Sequence, residues 1–321
     1  MLIFALPTAA QQSNPNVPVD PDASAVKEEA LLHEGARIDG RIDQPDEKAR
    51  VLIQPAGRQW DHFHEVILRW LGAIVILGMI ALLAIAYLVL GRIRMAAGRS
   101  GRKIVRFSGF ERFSHWLTAV SFILLALTGL NITFGKILLL PAIGPEAFSS
   151  FAQTAKYVHN FVSFSFVVGL ALIVALWIKD NVPQRVDLDW LKQGGGFIKS
   201  KHAPAGRFNA GEKLVFWSAL GAGLLVTISG IFLLFPFYWT NIAGMQIAQV
   251  VHAVVAVLFV AVILAHIYIG TLGMEGAFEA MGTGEVDINW AKEHHDRWLE
   301  DALVKERPAV GSRQTPAAPA G

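Results

Sequence analysis

The chain has 321 residues, of which 53% are hydrophobic and 17% are charged, and it carries no cysteine and a formal net charge of +2. Soluble domains carry about 25% charged residues, so this composition predicts a membrane protein. The absence of cysteine excludes disulfides, cysteine-ligated iron–sulfur clusters, c-type haem attachment and thiol catalysis within this chain. The small net charge also argues against nucleic-acid binding.

The first segment of the chain, residues 1–70, is polar and carries seven basic and eleven acidic side chains. We predict a short extracytoplasmic extension. Its first ten residues, MLIFALPTAA, end in small residues and resemble the end of a signal peptide, although they lack the basic residues with which such a peptide begins. A signal-peptide remnant over 1–10 and an ordinary flexible terminus therefore both stay open.

Five uncharged, apolar runs follow, over residues 71–90, 115–134, 158–178, 214–238 and 248–272. A hydrocarbon core about 30 Å thick needs roughly 20 such residues in a helix, and the alternating pattern of barrel strands is absent. The sequence therefore predicts an all-α membrane protein with five spans. We divide it into an extra transmembrane helix over 71–90 and a four-helix transmembrane bundle over 115–272.

The connections between the runs differ in their basic residues. Seven Lys and Arg lie in 92–114 and seven in 179–213, whereas two lie in 135–157 and none in 239–247. By the positive-inside rule, the first two connections face the cytoplasm and the N-terminus lies outside. The basic connection 91–114 and the C-terminal tail 273–321 are then cytoplasmic, and the tail is predicted to be disordered from about 307.

Four histidines lie inside or at the edges of the last four runs, where ionisable side chains are costly and mark functional sites. His252 and His266 are fourteen residues apart on one predicted helix, which is about 21 Å in depth and within about 40° in direction. The orientation places His159 at the outer depth of His252, and His115 at the inner depth of His266. The histidines therefore form two predicted pairs.

Two imidazoles that face each other across a bundle suit a six-coordinate haem iron, whereas Zn²⁺ requires more ligands than either pair offers. Gly129, Gly169 and Gly230 would let a porphyrin approach the backbone, although contact between helices explains small residues equally well. A polar helix contact and a proton path are the alternative interpretations of the histidines, but a proton path usually brings an acidic residue into the spans. Solvated side chains are predicted for the other histidines: His33, His62, His64, His202, His294 and His295.

The stretch before the fourth run, residues 206–213, is a candidate quinone site at the inner depth of His266. Asn209 can donate a hydrogen bond to a quinone carbonyl, Phe208 can pack on the ring, and Glu212 can help deliver protons. The same residues also fit a helix N-terminus, with Asn209 as N-cap and Glu212 as its capping-box partner. The residues alone favour the cap, and both roles can hold together.

A series of short motifs runs from Ile104 to Glu300. In chain order they are FERFSHW at 110–116, LTG at 127–129, VH at 158–159, DNVP at 180–183, DWL at 189–191, RFNAGEK at 207–213, FWS at 216–218, MQ at 245–246, HA at 252–253, AHIY at 265–268 and WAKEHH at 290–295. In these motifs the chain resembles the gamma subunit, or membrane cytochrome b subunit, of respiratory formate dehydrogenases. So many motifs in one order make the resemblance specific.

The resemblance implies a haem-binding four-helix transmembrane bundle with two haem b groups. His159 and His252 would bind the outer haem iron, and His115 and His266 the inner one. The expected partners are an iron–sulfur beta subunit, a molybdenum or tungsten alpha subunit, membrane lipid and quinone, in a bacterial cytoplasmic (inner) membrane. Formate oxidation would belong to another subunit, so no catalytic residue is assigned to this chain.

The resemblance also implies a pocket for menaquinone or ubiquinone next to the inner haem, with Asn209, Gly211, Glu212 and His266. The helix over 71–90 has no counterpart in the four-helix pattern, and none of its residues resembles a haem ligand. Within the same class, the cytochrome b subunit of a membrane hydrogenase or of a thiosulfate-type reductase is the alternative. A haem-free transporter or a structural membrane anchor is the alternative of a different class.

Overall fold

The computed structural model describes residues 62–195 and 203–306. The predicted signal-peptide remnant at 1–10, most of the N-terminal segment, His33, His202 and the tail from 307 lie outside the described residues.

The described part of the chain is helical apart from two short strands. In chain order its elements are a π-helical turn (Phe63–Leu68) that continues as α1 (Arg69–Leu90), β1 (Lys103–Val105), α2 (Gly109–Leu138), α3 (Leu140–Ile143), α4 (Pro145–Trp177), α5 (Arg185–Lys192), α6 (Ala210–Leu234), α7 (Ile242–Tyr268) with a π-helical turn (Ile269–Gly273), α8 (Ala277–Gly282), β2 (Glu285–Asp287), α9 (Ile288–His294) and α10 (Asp296–Glu306).

Five of these helices are long and apolar enough to cross a membrane, which confirms the predicted all-α membrane protein with five spans. Their ends differ from the predicted runs. The third span begins at Pro145 and the fourth ends at Leu234, whereas the sequence predicts 158 and 238. His159 therefore lies well inside α4 and does not open it.

The bundle consists of α2, α4, α6 and α7. α2 packs along α4, α6 packs along α7, and α4 also contacts α6. A Cβ at Gly169 of α4 would stand 2.5 Å from Thr118 Oγ1 and 3.0 Å from the Thr118 amide nitrogen of α2. Gly169 therefore permits the close approach of two helices. This agrees with the second explanation of this glycine, contact between helices, and not with the approach of a porphyrin.

The extra helix α1 packs beside the bundle, mainly against α7. A Cβ at its buried Gly72 would stand 2.9 Å from the Phe134 ring and 3.6 Å from a methyl group of Val257. Large apolar side chains on the rest of α1, such as Trp70 and Leu88, are exposed. Within this chain α1 therefore contacts the bundle along one narrow stripe.

Three phenylalanines fill the middle of the bundle. The Phe122 ring centroid lies 4.7 Å from that of Phe259 and 6.3 Å from that of Phe166. Phe259 is seven residues from both His252 and His266, or about 10 Å along α7 in each direction. The aromatic cluster therefore separates two levels of the bundle, and each level carries histidines.

One end of the bundle, here called the basic end, is formed by residues 91–108, 178–195, 203–209 and 274–306. β1 and β2 pair there in antiparallel fashion, with Lys103 opposite Asp287. This small sheet is an addition to the all-α prediction. Ile104, Val286 and Trp290 are buried in one apolar cluster, so the basic connection and the described part of the tail form a packed cap.

Candidate functional site

The four predicted histidines meet as two pairs inside the bundle. The ring centroids of His159 on α4 and His252 on α7 are 6.1 Å apart. Those of His115 on α2 and His266 on α7 are also 6.1 Å apart. The pairs are the same as those predicted from the sequence, whereas the role of these residues as iron ligands stays a prediction.

The two pairs lie at different levels. His115 follows the N-cap Ser108 of α2 by seven residues, and His266 precedes Met274 by eight, so both lie near the basic end. His159 precedes the end of α4 at Trp177 by eighteen residues, which is about 27 Å of helix. We call His115 and His266 the near pair, and His159 and His252 the far pair.

The far pair is bordered by a hydroxyl and a glycine on each side. Thr128 Oγ1 lies 2.8 Å from His159 Nδ1, and Ser229 Oγ lies 3.1 Å from His252 Nδ1. A Cβ at Gly129 would stand 3.6 Å from His159 Cε1, and one at Gly230 would stand 3.3 Å from His252 Cε1. Two of the three glycines singled out in the sequence therefore lie against histidine rings.

The near pair has different neighbours. The Trp116 ring meets the His115 ring edge-on, with centroids 5.4 Å apart. His115 Nδ1 is buried and has no hydrogen-bond partner in the described part of the chain. The near and far pairs therefore differ in the hydrogen bonding of their rings, although their ring separations agree.

The donor set of each pair fits haem better than an isolated metal ion. No group of three or more His, Cys, Asp or Glu that could hold a metal ion occurs in residues 62–195 and 203–306. Zn²⁺ takes about four ligands, which is more than either pair offers. Two imidazole–metal bonds of about 2 Å each would put the two bound nitrogens about 4 Å apart. A centroid separation of 6.1 Å allows that spacing. Haem supplies the equatorial ligands itself, so two histidines suffice.

Three of the four predicted quinone residues, Asn209, Gly211 and Glu212, lie at the N-terminus of α6, whereas His266 lies on α7. Asn209 Oδ1 accepts a hydrogen bond from the Glu212 amide, and Glu212 Oε2 accepts one from the Asn209 amide, each at 2.9 Å. This reciprocal pattern confirms the predicted capping box. A Cβ at Gly211 would stand 3.2 Å from the Trp190 ring of α5, so the glycine lets that ring lie close to the cap.

Two arginines join this cap to other helices. Arg106 Nη2 donates to Glu212 Oε1 at 3.0 Å. Arg207 donates to Glu111 Oε1 at 2.5 Å and to Asp180 Oδ2 at 2.8 Å. Burial lowers the pKa of Arg106 from its usual value, and Glu212 opposes that effect. The capping residue Glu212 is therefore part of an ion-pair cluster that ties together the ends of α2, α4 and α6.

The cavity beside this cluster is polar. It has a volume of about 560 Å³ and its lining includes Arg106, Lys179, Arg207 and Lys213. Quinone rings bind in mainly apolar pockets with a few polar groups. Because its lining is charged, this cavity is not a candidate quinone pocket.

A sequence profile described as prokaryotic cytochrome b561 matches residues 106–284, more than half of the chain. The chain belongs to the prokaryotic cytochrome b561 family. Membership in this family of cytochromes b implies bound haem b. The matched range includes all four histidines of the two pairs.

Similar proteins agree with the resemblance seen in the motifs. The chain is 28% identical to the cytochrome b556(Fdn) subunit of the nitrate-inducible formate dehydrogenase of Escherichia coli (strain K12), over 65% of this chain and 98% of the relative. It is 32% identical to the cytochrome b556(fdo) subunit of formate dehydrogenase of the same strain, over 62% of this chain and 92% of the relative. A Haemophilus influenzae formate dehydrogenase cytochrome b556 subunit is 26% identical over 64% of this chain and 85% of the relative. The suspected family resemblance is confirmed.

The prediction that His295 is solvated is wrong, because in this cytochrome its ring is buried. Only 1% of the residue is exposed. Its Nδ1 lies 2.9 Å from the Gly206 carbonyl oxygen and its Nε2 lies 3.7 Å from Glu212 Oε1. The burial of His295 could not be predicted from the sequence, because it depends on the packing of α9 and α10 against residues 203–209.

We expect His295 to make the stability of the cytochrome pH-dependent. Burial, and then the charge of Arg106, holds the pKa of His295 well below its usual value of 6.5. Below pH 6.5 the unfolded chain therefore binds more protons at this position than the folded chain, and stability falls as pH falls. Above pH 6.5 the effect is constant. The slope is at most about 1.4 kcal/mol per pH unit.

The measurement is the thermal unfolding midpoint of the full chain in detergent between pH 5 and pH 8. His295→Gln keeps a polar side chain without the titration and should flatten the decline below pH 6.5. His62 is exposed, so His62→Gln is the matched control and should leave the profile unchanged. Equal profiles for wild type and His295→Gln would contradict the prediction.

Thr128 and Ser229 were assigned no role from the sequence, although each directly precedes one of the glycines singled out there. Nor was a role assigned to Arg106 or to the ion pair of Arg207 with Glu111. For Thr128 and Ser229 the sequence did offer an indication, because each is a hydroxyl residue followed by glycine within a span. The arginine contacts join residues about a hundred positions apart and had no local indication.

Proposed function

We propose that the protein is the cytochrome b subunit of a formate dehydrogenase and transfers electrons from an extracytoplasmic iron–sulfur subunit to quinone near the cytoplasmic face of a bacterial inner membrane. The observation that carries this proposal is the pair of facing histidines at each of two levels in one bundle. Its relatives are named as subunits of formate dehydrogenases, which supports the assignment to such a complex.

In this proposal each histidine pair would hold one haem b. His159 and His252 would bind the haem iron at the far level, and His115 and His266 would bind it at the near level. Bound haem b supplies reversible one-electron exchange. Two imidazoles would complete the coordination of the iron at each level, which favours electron transfer over hydrolysis or oxygenation.

The orientation rests on the basic end. Its Lys- and Arg-rich connections belong on the cytoplasmic side by the positive-inside rule. The near pair is then the inner site and the far pair the outer site. The iron–sulfur beta subunit would dock outside, close to the far pair, and the molybdenum or tungsten alpha subunit would oxidise formate. The chain itself has no role in binding formate.

The proposed quinone pocket lies between the near pair and the N-terminus of α6, with Asn209, Gly211, Glu212 and His266. The cap occupies Asn209 Oδ1, so the Nδ2–H groups are the donors that a carbonyl of menaquinone or ubiquinone would meet. Glu212 is held by Arg106 in the same cluster. An acidic group at this position can take part in proton delivery as quinone is reduced.

A reduced-minus-oxidised optical spectrum of the purified protein tests the central claim. We expect b-type haem bands with a content of two haems per chain. A spectrum without these bands would leave a haem-free transporter or anchor as the function. Co-purification of a molybdenum or tungsten enzyme supports the formate dehydrogenase complex, and co-purification of a nickel enzyme would assign the protein to a hydrogenase.

We expect Asn209→Asp to reduce quinone turnover about tenfold while both haems and the thermal stability are retained. Aspartate caps a helix as well as asparagine does, but it lacks the amide donor. The loss of one hydrogen bond of about 1.4 kcal/mol corresponds to a factor of ten. The measurement is steady-state reduction of a soluble quinone by the intact complex.

A matched control uses the other asparagine cap of a bundle helix. Asn241 Oδ1 accepts a hydrogen bond from the Gly244 amide at the start of α7, at the opposite end of the bundle. Asn241→Asp makes the same chemical change away from the proposed pocket and should leave turnover unchanged. Unchanged turnover in Asn209→Asp would restrict Asn209 to capping.

A further inference from the structure

The hydroxyls beside the far pair already use their own hydrogen atoms. Thr128 Oγ1 lies 2.7 Å from the Leu124 carbonyl oxygen, and Ser229 Oγ lies 2.6 Å from the Leu225 carbonyl oxygen, four residues earlier in each helix. These are the usual bonds of serine and threonine inside a helix. Since a hydroxyl carries one hydrogen, each oxygen faces the histidine as an acceptor.

With the hydroxyl hydrogens directed to these carbonyl oxygens, the histidines supply the hydrogens of the contacts at 2.8 Å and 3.1 Å. A neutral imidazole that donates from Nδ1 carries its lone pair on Nε2. Both rings of the far pair are therefore fixed in the same tautomer, and each hydroxyl also restricts the rotation of its ring. The direction of these bonds follows from the two short contacts to carbonyl oxygens.

The residues next to the hydroxyls complete the arrangement. Gly129 and Gly230 follow them directly, and a Cβ at Gly230 would approach His252 Cε1 to 3.3 Å, which is closer than an ordinary contact. A hydroxyl followed by glycine thus lines the same edge of each far-pair ring, from α2 for His159 and from α6 for His252. The two dipeptides act on different helices, so each can be varied independently.

We propose that Thr128 and Ser229 are positioning residues, which hold His159 and His252 with Nε2 free to bind iron and make these two imidazoles stronger electron donors. This inference rests on the proposed function, because it assumes that the far pair binds haem b. Hydrogen bonding to the outer nitrogen of a ligating histidine fixes its orientation and raises its basicity.

The two levels of the bundle then differ in redox behaviour. A more basic imidazole stabilises ferric iron over ferrous iron, and axial ligation together with its hydrogen bonding sets the potential of a haem. The far pair has a hydroxyl acceptor on each ring, whereas His115 Nδ1 of the near pair has no partner in the described residues. The hydrogen bonds of Thr128 and Ser229 would therefore lower the potential of the far site below the value it would have without them.

The experiment is a redox titration of the purified complex, followed optically, for wild type, Thr128→Val and Ser229→Ala. Either variant removes one hydroxyl with little change in volume. We expect the ferric-to-ferrous equilibrium of the far haem to shift about tenfold toward ferrous iron, a rise of about 59 mV for a one-electron couple. The near haem should keep its potential. His252→Ala identifies the far haem as the component that is lost.

Two controls separate hydrogen bonding from packing. Thr133 lies on α2, where its Oγ1 donates to the Gly129 carbonyl oxygen, and Ser163 lies on α4, where its Oγ donates to the Asn160 carbonyl oxygen. Thr133→Val and Ser163→Ala make the same chemical changes and should leave both potentials unchanged. Thr128→Ser and Ser229→Thr keep the hydroxyls and should retain the wild-type potential of the far haem.

The outcomes distinguish this inference from the proposed function. If wild type contains two haems and His252→Ala loses one, but Thr128→Val and Ser229→Ala leave the far potential unchanged, the positioning role is wrong and the proposed function stands. If wild type contains no haem b, both are wrong. If one variant fails to assemble, the other still tests the inference, since Thr128 and Ser229 lie on separate helices.

Discussion

His252→Ala is expected to leave the purified protein with one haem b instead of two. The variant removes one ring of the far pair, whose centroids are 6.1 Å apart, and leaves His159 as a single ligand. The near pair is about 21 Å away along α7, and the Phe122–Phe259 contact lies between the two levels. We therefore expect the near site to keep its haem and its spectrum.

The measurement is haem extracted per protein, together with the reduced-minus-oxidised spectrum, whose amplitude should fall to about half of the wild-type amplitude. His62→Ala, at an exposed histidine before α1, is the matched control and should retain two haems. Retention of two haems in His252→Ala would remove His252 from the proposed ligands. Folding is monitored by the circular dichroism of the helices, so that haem loss is not confused with unfolding.

The pairing of the histidines could be predicted because it depends on few quantities. Hydropathy gives the number of spans, basic residues give their directions, and the helical rise gives the depth of each histidine. The fourteen residues between His252 and His266 place these two rings at two levels without any knowledge of packing. The structure brings the four rings together in those pairs.

Helix ends and side-chain contacts could not be predicted in the same way. α4 begins at Pro145, thirteen residues before the apolar run. The prediction missed these residues because the first turns of α4 are more polar than the rest and no charge pattern separates them from a loop. The contact of Thr128 with His159 joins residues on different helices and depends on rotation about both helix axes. Hydropathy contains no information on that rotation.

The basic end shows how a sequence motif can have two explanations. The motif RFNAGEK at 207–213 resembles a quinone site, yet its described contacts include a capping box and several ion pairs, among them those of Arg207 with Glu111 and Asp180. The proposed role of this motif in quinone binding and its role in folding are compatible, because the cap uses Asn209 Oδ1 and leaves the amide donors. Only a variant that keeps the cap, such as Asn209→Asp, separates the two roles.

His266→Ala is expected to give the opposite pattern to His252→Ala, with the far haem retained, the near haem lost and quinone reduction abolished. His266 is the ring that faces His115 and is also a proposed quinone-site residue. Without the near site, electrons at the far level face a gap of about 21 Å along the helix. Electron transfer becomes very slow over such a distance, so the remaining haem has no rapid route to quinone.

Two measurements on the intact complex check this prediction. Haem content should fall to one per chain, and the haem that remains should be reduced by formate but should not be reoxidised when quinone is added. In wild type, reoxidation should follow at once. Loss of one haem with normal reoxidation by quinone would show that the quinone pocket lies beside the far pair, and it would reverse the direction of electron transfer proposed from the basic end.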